Sequence, residues 1–192
     1  GAVKEYEQFN FGEVSTDFIS YSGATLNVIP NPEISGINTS NTVAQVVKDG
    51  GEFWAGSRVF LSNTLDLSNL WQVSMKVFTD APVGTRIKLE LEGPNGRTNL
   101  DYLTTISGVW ETAVWNFYGE QNSYDKINFL FDFGNVGDGS STSTFLFDDV
   151  EQITGPVIAD PVATSLPVNF EGSVQTTDFI NEDGGLASVI PN

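Results

Sequence analysis

The sequence predicts an all-β fold in which two sheets pack as a sandwich, and three observations predict it. Fourteen Phe, five Tyr and four Trp accompany nineteen Gly in 192 residues, a mix of strand-favouring side chains and turn formers. Apolar and polar residues alternate at period two, as in strands with one buried face. Gly, Pro, Asn and Asp break that alternation about every ten residues, the spacing of a sandwich.

Strands are expected at 5–11, 17–21, 24–30, 41–48, 53–62, 71–79, 84–92, 97–106, 110–118, 124–133 and 143–153. The first three end at the turn Asn31-Pro32, and the fourth ends at Gly50-Gly51. The strand at 71–79 places Trp71, Val73, Met75 and Val77 on one face, and 84–92 does the same with Ile87, Leu89 and Leu91. Pro94-Asn95-Gly96 then forms a hairpin into 97–106. At 110–118, Trp115 alternates with Ala113 and Phe117 and reads as core, while Trp110 shares a mixed face with Thr112, Val114 and Asn116. Gly137-Asp138-Gly139 reads as a turn before the last strand.

After Ile153 the pattern gives way to TGPVIADPVATSLP, whose prolines make a stiff, extended linker. Beyond it an echo begins. Asp178 to Asn192 repeats Asp17 to Asn31 without a gap, with eight of fifteen positions identical, and Phe9 and Thr16 fall on Phe170 and Thr177. The offset of 161 residues exceeds the roughly 20–50 residues of a solenoid repeat and matches a domain plus linker. The expected organisation is a β-sandwich over 1–153, a linker over 154–168, and the first strands of a second, truncated repeat over 169–192, in a chain cut from a longer tandem array. Two strands are too few to fold alone. Residues 170–192 are therefore expected to pair with a sheet edge of this chain or of a neighbouring molecule.

Composition excludes several chemistries. Without Cys there is no disulfide, thiolate metal site or Cys nucleophile; without His there is no Ser-His-Asp triad and no His-ligated zinc. A net charge of −17 repels nucleic acid and anionic lipid. Its carboxylates read mainly as solvated surface, with calcium binding as the functional alternative. No apolar run is long enough to span a bilayer, and Gly1 reads as the start of a mature chain.

Four strings carry a resemblance: Asn31-Pro32-Glu33-Ile34-Ser35-Gly36-Ile37-Asn38-Thr39-Ser40, Val43 to Lys48, Gly50 to Gly56, and Phe145-Leu146-Phe147-Asp148-Asp149-Val150. Together they resemble a carbohydrate-binding-module-like domain repeated in surface glycan-binding proteins and laminarinases of marine bacteria. That group is similar to carbohydrate-binding module families 4, 16 and 22, a β-jelly roll of the galactose-binding-like type. The resemblance spans about residues 5–153. It implies a non-catalytic, extracellular or cell-surface role in capturing polysaccharide, with β-glucans such as laminarin as ligands. It also implies a structural calcium ion.

For that ion, the related modules use the first Asp of the Asp-Asp pair and a Glu just after the first-strand Phe. Asp148 matches the former. The latter is Glu171 in the second repeat but Asn10 in the first, which keeps an amide oxygen and loses a charge; Glu7, Glu13 or a backbone carbonyl would compensate. Alternation places Asp148 between Leu146 and Val150 on a core-facing side, where a carboxylate needs a cation or several donors.

Sugars offer apolar C–H faces to aromatic rings and hydroxyls to polar groups. Trp54, between Gly50-Gly51 and Ala55-Gly56, is the first candidate to carry a sugar, with Arg58 four residues on as a hydroxyl donor. Trp71 and Trp110 are further candidates, each with a core alternative, and Tyr102 and Tyr124 are second-rank contacts in polar surroundings. A catalytic reading finds little support. Jelly-roll glucanases often carry Glu-x-Asp-x-x-Glu, which is absent, and Glu90 and Glu92 read as solvated. The alternatives are a structural spacer or adhesion module without ligand, and an accessory module of a glycoside hydrolase.

Overall fold

The computed structural model describes Gln8–Phe9 and residues 18–155. The chain divides into two units, residues 1–155 and 156–192, and the first is the one described. Asn10, the linker from residue 156 onward, the echo at 169–192 and its expected strand pairing lie outside the described residues.

The described strands are β1 (Gln8–Phe9), β2 (Phe18–Tyr21), β3 (Ala24–Pro30), β4 (Thr42–Gly50), β5 (Gly56–Leu65), β6 (Gln72–Thr79), β7 (Arg86–Gly93), β8 (Gly96–Leu103), β9 (Glu111–Asn116), β10 (Tyr124–Phe131), β11 (Gly137–Asp138) and β12 (Thr144–Ile153). They form two antiparallel sheets. One runs β11-β4-β12-β6-β9, with β1 paired to β12 and β3 to β4; the other runs β2-β5-β10-β7-β8. This is the expected all-β, two-sheet sandwich. The main departure is β5, expected at 53–62: it starts at Gly56, so Phe53 and Trp54 belong to the preceding turn. Gly137-Asp138, read as a turn, also makes a short pairing with Asp49 and Gly50.

The core lies between the sheets. Phe129 stacks on Phe147 and Phe131 on Phe145, with ring centroids 5.3 and 5.1 Å apart. Met75, Val77, Leu89, Leu91 and Trp115 close around them, and the Trp115 indole donates to the Ile87 carbonyl at 3.2 Å. Each buried aliphatic or aromatic side chain here contributes about 1.5–3 kcal/mol through the water it excludes.

A second, smaller cluster uses the opposite face of the first sheet. Val43, Leu146 and Trp110 pack there with Ile29 and Phe78, and the Trp110 indole donates to the Glu33 carbonyl at 2.6 Å. Glu33 belongs to the Asn31–Ser40 string, which closes on itself. Asn31 donates to the Ser40 carbonyl and accepts from the Glu33 amide, and Asn38 accepts from the Ser40 amide. That string is thus a structural loop tied down by an indole. This corrects the groove reading of Trp110, which is 4% exposed.

In β12 the expected alternation breaks. Leu146 belongs to the second cluster and Val150 to the main core, so they do not share a face. The register against β6 shifts between Asp148 and Glu151, and Asp149 adopts φ 47°. This bulge re-aims the strand.

Candidate functional site

The outer face of the second sheet is built one residue per strand. Ile19 (β2), Arg58 (β5), Asn128 (β10), Glu90 (β7) and Asn99 (β8) stand in register across it. The next row sets Phe60, Lys126, Glu92 and Arg97 side by side. The alternation that sends Ile87, Leu89 and Leu91 inward sends Lys88, Glu90 and Glu92 outward.

These polar groups are wired together. Asn128, almost fully enclosed, accepts from Arg58 Nε at 2.6 Å and donates to Glu90 Oε1 at 3.0 Å. Arg58 Nη2 lies 3.3 Å from Glu92, and Lys88 Nζ reaches Asn99 and Asp101 at 2.9 Å each. Glu90 and Glu92, expected to be solvated, are instead one-fifth exposed and paired with cations. Such a network fixes donor and acceptor directions before any ligand arrives.

At one end of this face an aromatic shelf forms. Trp54 is 40% exposed, and its ring centroid lies 6.2 Å from that of Tyr21 with 33° between planes. Two glycines make the arrangement possible. A Cβ at Gly51, which has φ 75°, would fall 2.0 Å from the Ser22 carbonyl oxygen, so only glycine lets the β2–β3 and β4–β5 turns touch through their backbones. A Cβ at Gly56 would meet the Tyr21 hydroxyl at 2.8 Å, so the bare backbone of β5 gives the Tyr21 ring its bed. Burial pushes the Tyr21 phenol up to about 12, with Arg58 opposing and Glu90 and Glu92 adding. It stays protonated and keeps a hydroxyl to donate.

The turn that carries Trp54 is anchored from beneath by Lys48. This side chain is fully enclosed, and its ammonium donates to the carbonyls of Phe53 at 3.3 Å, Asp132 at 3.0 Å and Asn135 at 2.7 Å. Burial lowers its amine below the ordinary lysine range, and Asp132 opposes that. Phe53 meets Phe133 edge-on at 5.8 Å, joining the same two turns from outside.

Together these elements enclose a depression of about 750 Å³ whose wall includes Tyr21, Trp54, Arg58, Phe60, Lys88 and Glu90. Of the residues singled out from the sequence, the structure brings Trp54 and Arg58 together here. Trp71 lies elsewhere, half-buried at the far end of β5 and β10, where it meets Tyr118 edge-on at 5.4 Å in a separate depression. Tyr102 packs on Trp115 and donates to Glu111 at 2.8 Å. Tyr124 is fully buried and donates to Glu120 at 2.6 Å. Trp110 and Tyr124 thus present no face to a ligand.

Asp148 is completely enclosed. Its Oδ1 accepts from the Asp149 amide at 2.9 Å, while Oδ2 is buried without a hydrogen-bond partner among the described residues. An orphaned carboxylate oxygen suits a hard cation. Among the described residues no group of three or more acidic side chains converges on a common point. Phe9, the residue before Asn10, pairs with Val150.

No protein-family model matches the chain, and no curated protein does. Solved structures do. The family 11 carbohydrate-binding module of a cellulosomal cellulase of Clostridium thermocellum superposes with TM-score 0.54 at 18% identity, covering 81% of this chain and 97% of that one. The same family's module in complex with a β-1,3-1,4-mixed-linked tetrasaccharide gives TM-score 0.55 at 15% identity, covering 79% and 97%. A family 22 xylan-binding domain from Paenibacillus barcinonensis gives 0.54 at 16%, covering 79% and 95%. At such identities the likeness is one of fold: a jelly-roll sandwich.

Proposed function

We propose that this protein binds polysaccharide, without catalysis, on the outer face of its second sheet. The sugar ring lies against Trp54 and Tyr21, and Arg58, Lys88, Glu90 and Asn99 take its hydroxyls. The observation that carries this reading is an indole held out at the rim of a depression while the polar floor beside it is already fixed. Carbohydrate-binding modules of the same fold support it. Glu90 and Glu92 stand on one face of one strand, not across a cleft as a glycosidase's acid and base do. The first ligand to test is a β-glucan such as laminarin. In an extracellular or cell-surface protein built of several such modules, weak single sites would gain through avidity. Native electrophoresis through gels containing laminarin tests the proposal: retardation of the chain is expected, and unchanged mobility contradicts it.

A calcium ion belongs to the same reading as a structural element. Asp148 would hold it, with Asn10 as a further oxygen ligand, and the ion would satisfy the buried Oδ2. A ligand that binds only the folded state at about a hundredfold over its Kd adds about 2.7 kcal/mol. EDTA is therefore expected to lower the melting temperature by about 5–10 °C, and added calcium to restore it. An unchanged melting temperature contradicts the ion.

A further inference from the structure

The chain's few cations are not spread evenly. Of its eight Lys and Arg, five stand on the outer face of the second sheet: Arg58, Arg86, Lys88, Arg97 and Lys126. Lys48 is buried, and Lys76 pairs with Asp149 on the other sheet. The carboxylates paired to these five cations are Glu90, Glu92, Asp101 and Asp125. Among the described residues, five cations on this face thus stand against four paired carboxylates, in a chain of net charge −17. Arg58, Lys88 and Arg97 line the depression beside Trp54 together with Glu90, while Glu92 and Asp101 pair Arg58 and Lys88 from just outside it.

Of these cations, Arg97 retains the most capacity for a ligand. Arg97 is two-thirds exposed, and its one ion pair among the described residues, to Glu90, is long at 3.8 Å. Lys88, bound to Asn99 and Asp101, lies 4.7 Å above the Phe133 ring and keeps its ammonium at the depression wall. A neutral glucan takes these side chains as hydroxyl donors only; an anionic group also engages their charge. A guanidinium matches the paired oxygens of a carboxylate or sulfate.

We infer that this face takes a polysaccharide bearing carboxylate or sulfate groups in preference to the neutral chain of the same backbone. The inference rests on the polysaccharide reading and deepens it by naming the ligand's charge. The overall acidity opposes an anion only at long range. At an ionic strength of about 0.1 M the Debye length is about 10 Å, so distant carboxylates are screened while cations in contact are not.

Three ligands of one backbone test it: laminarin, sulfated laminarin and laminarin oxidised to carboxylate at C6. At about 0.1 M salt, at least one anionic derivative should bind about tenfold tighter than laminarin. At about 1 M salt, where the Debye length is about 3 Å, that ratio should fall toward one. The derivative that leads tells sulfate from carboxylate. Arg97→Gln should lower the ratio of anionic to neutral affinity about threefold or more, and Trp54→Ala should remove binding of the favoured derivative. Equal or tighter binding of laminarin overturns the inference and leaves the proposed function standing. Binding of the derivatives that survives Trp54→Ala overturns it as well, by placing the polyanion elsewhere. Failure of all three ligands removes both.

Discussion

Trp54→Ala abolishes retention in laminarin gels and leaves the melting temperature within about 2 °C of the parent protein. Both halves follow from where the indole sits. It projects from the turn before β5, outside the two clusters that hold the sandwich, and its ring neighbour is Tyr21 rather than the core. Truncation creates no interior cavity, so stability changes by no more than about 0.5 kcal/mol. Binding is another matter, because a central aromatic anchor is worth about 2 kcal/mol or more. That is about thirtyfold, enough to remove a weak single-site interaction from a gel assay. A collapse of thermal stability instead would make Trp54 a core residue and withdraw the shelf from the account.

Lys48→Met destabilises the protein by about 3 kcal/mol and weakens glycan binding at the same time. Methionine keeps the stem's packing and removes only the ammonium. The carbonyls of Phe53, Asp132 and Asn135 then lose their shared donor in an enclosed site. Bonds to a charged group contribute about 1.5–3 kcal/mol each, and some of that is recovered because the Phe53 and Asp132 carbonyls also accept from the amides of Gly134 and Asn135. For a domain of this size the melting temperature should fall by about 5–12 °C. Below that melting temperature, in folded protein, laminarin retention should still be reduced, because Phe53 and Trp54 are consecutive and the ammonium fixes the turn they share. A variant that melts lower yet binds as well as the parent would show that Lys48 holds the fold without positioning the indole.

Much of the fold is legible in the sequence for a definite reason. Alternation at period two reports burial directly, so Ile87, Leu89 and Leu91 could be placed inward before any contact was known. The same rule misleads where strands bulge or where both faces of a sheet are covered. Leu146 and Val150 read as one face because nothing in the composition of β12 announces the left-handed backbone at Asp149. Trp110 reads as a groove residue because its neighbours Thr112, Val114 and Asn116 look solvated; the loop whose Glu33 carbonyl it caps lies seventy-seven positions away in the chain. Trp54 is legible from its small flanking residues, although Phe53-Trp54 imitates the start of a strand.

The rest of the candidate site was hidden by chain distance. Tyr21, Lys48 and Asn128 carry no local signal, and their roles appear only once β2, β5, β10 and β7 are in register. Lysine in a strand normally signals a solvated face. Only the convergence of the turns near Phe53 and Asn135 makes Lys48 an anchor.

The four tryptophans offer a direct test of the central claim, that Trp54 and not another indole meets the sugar. Each gives one indole N–H resonance. Those of Trp110 and Trp115 are engaged with the carbonyls of Glu33 and Ile87, and Trp71 lies at the far end of the strands. Titrating the ¹⁵N-labelled protein with laminarin oligosaccharides should shift the Trp54 indole resonance progressively and leave those of Trp110 and Trp115 in place. A titration in which the Trp71 resonance moves alone, or in which none moves at saturating sugar, would contradict the account.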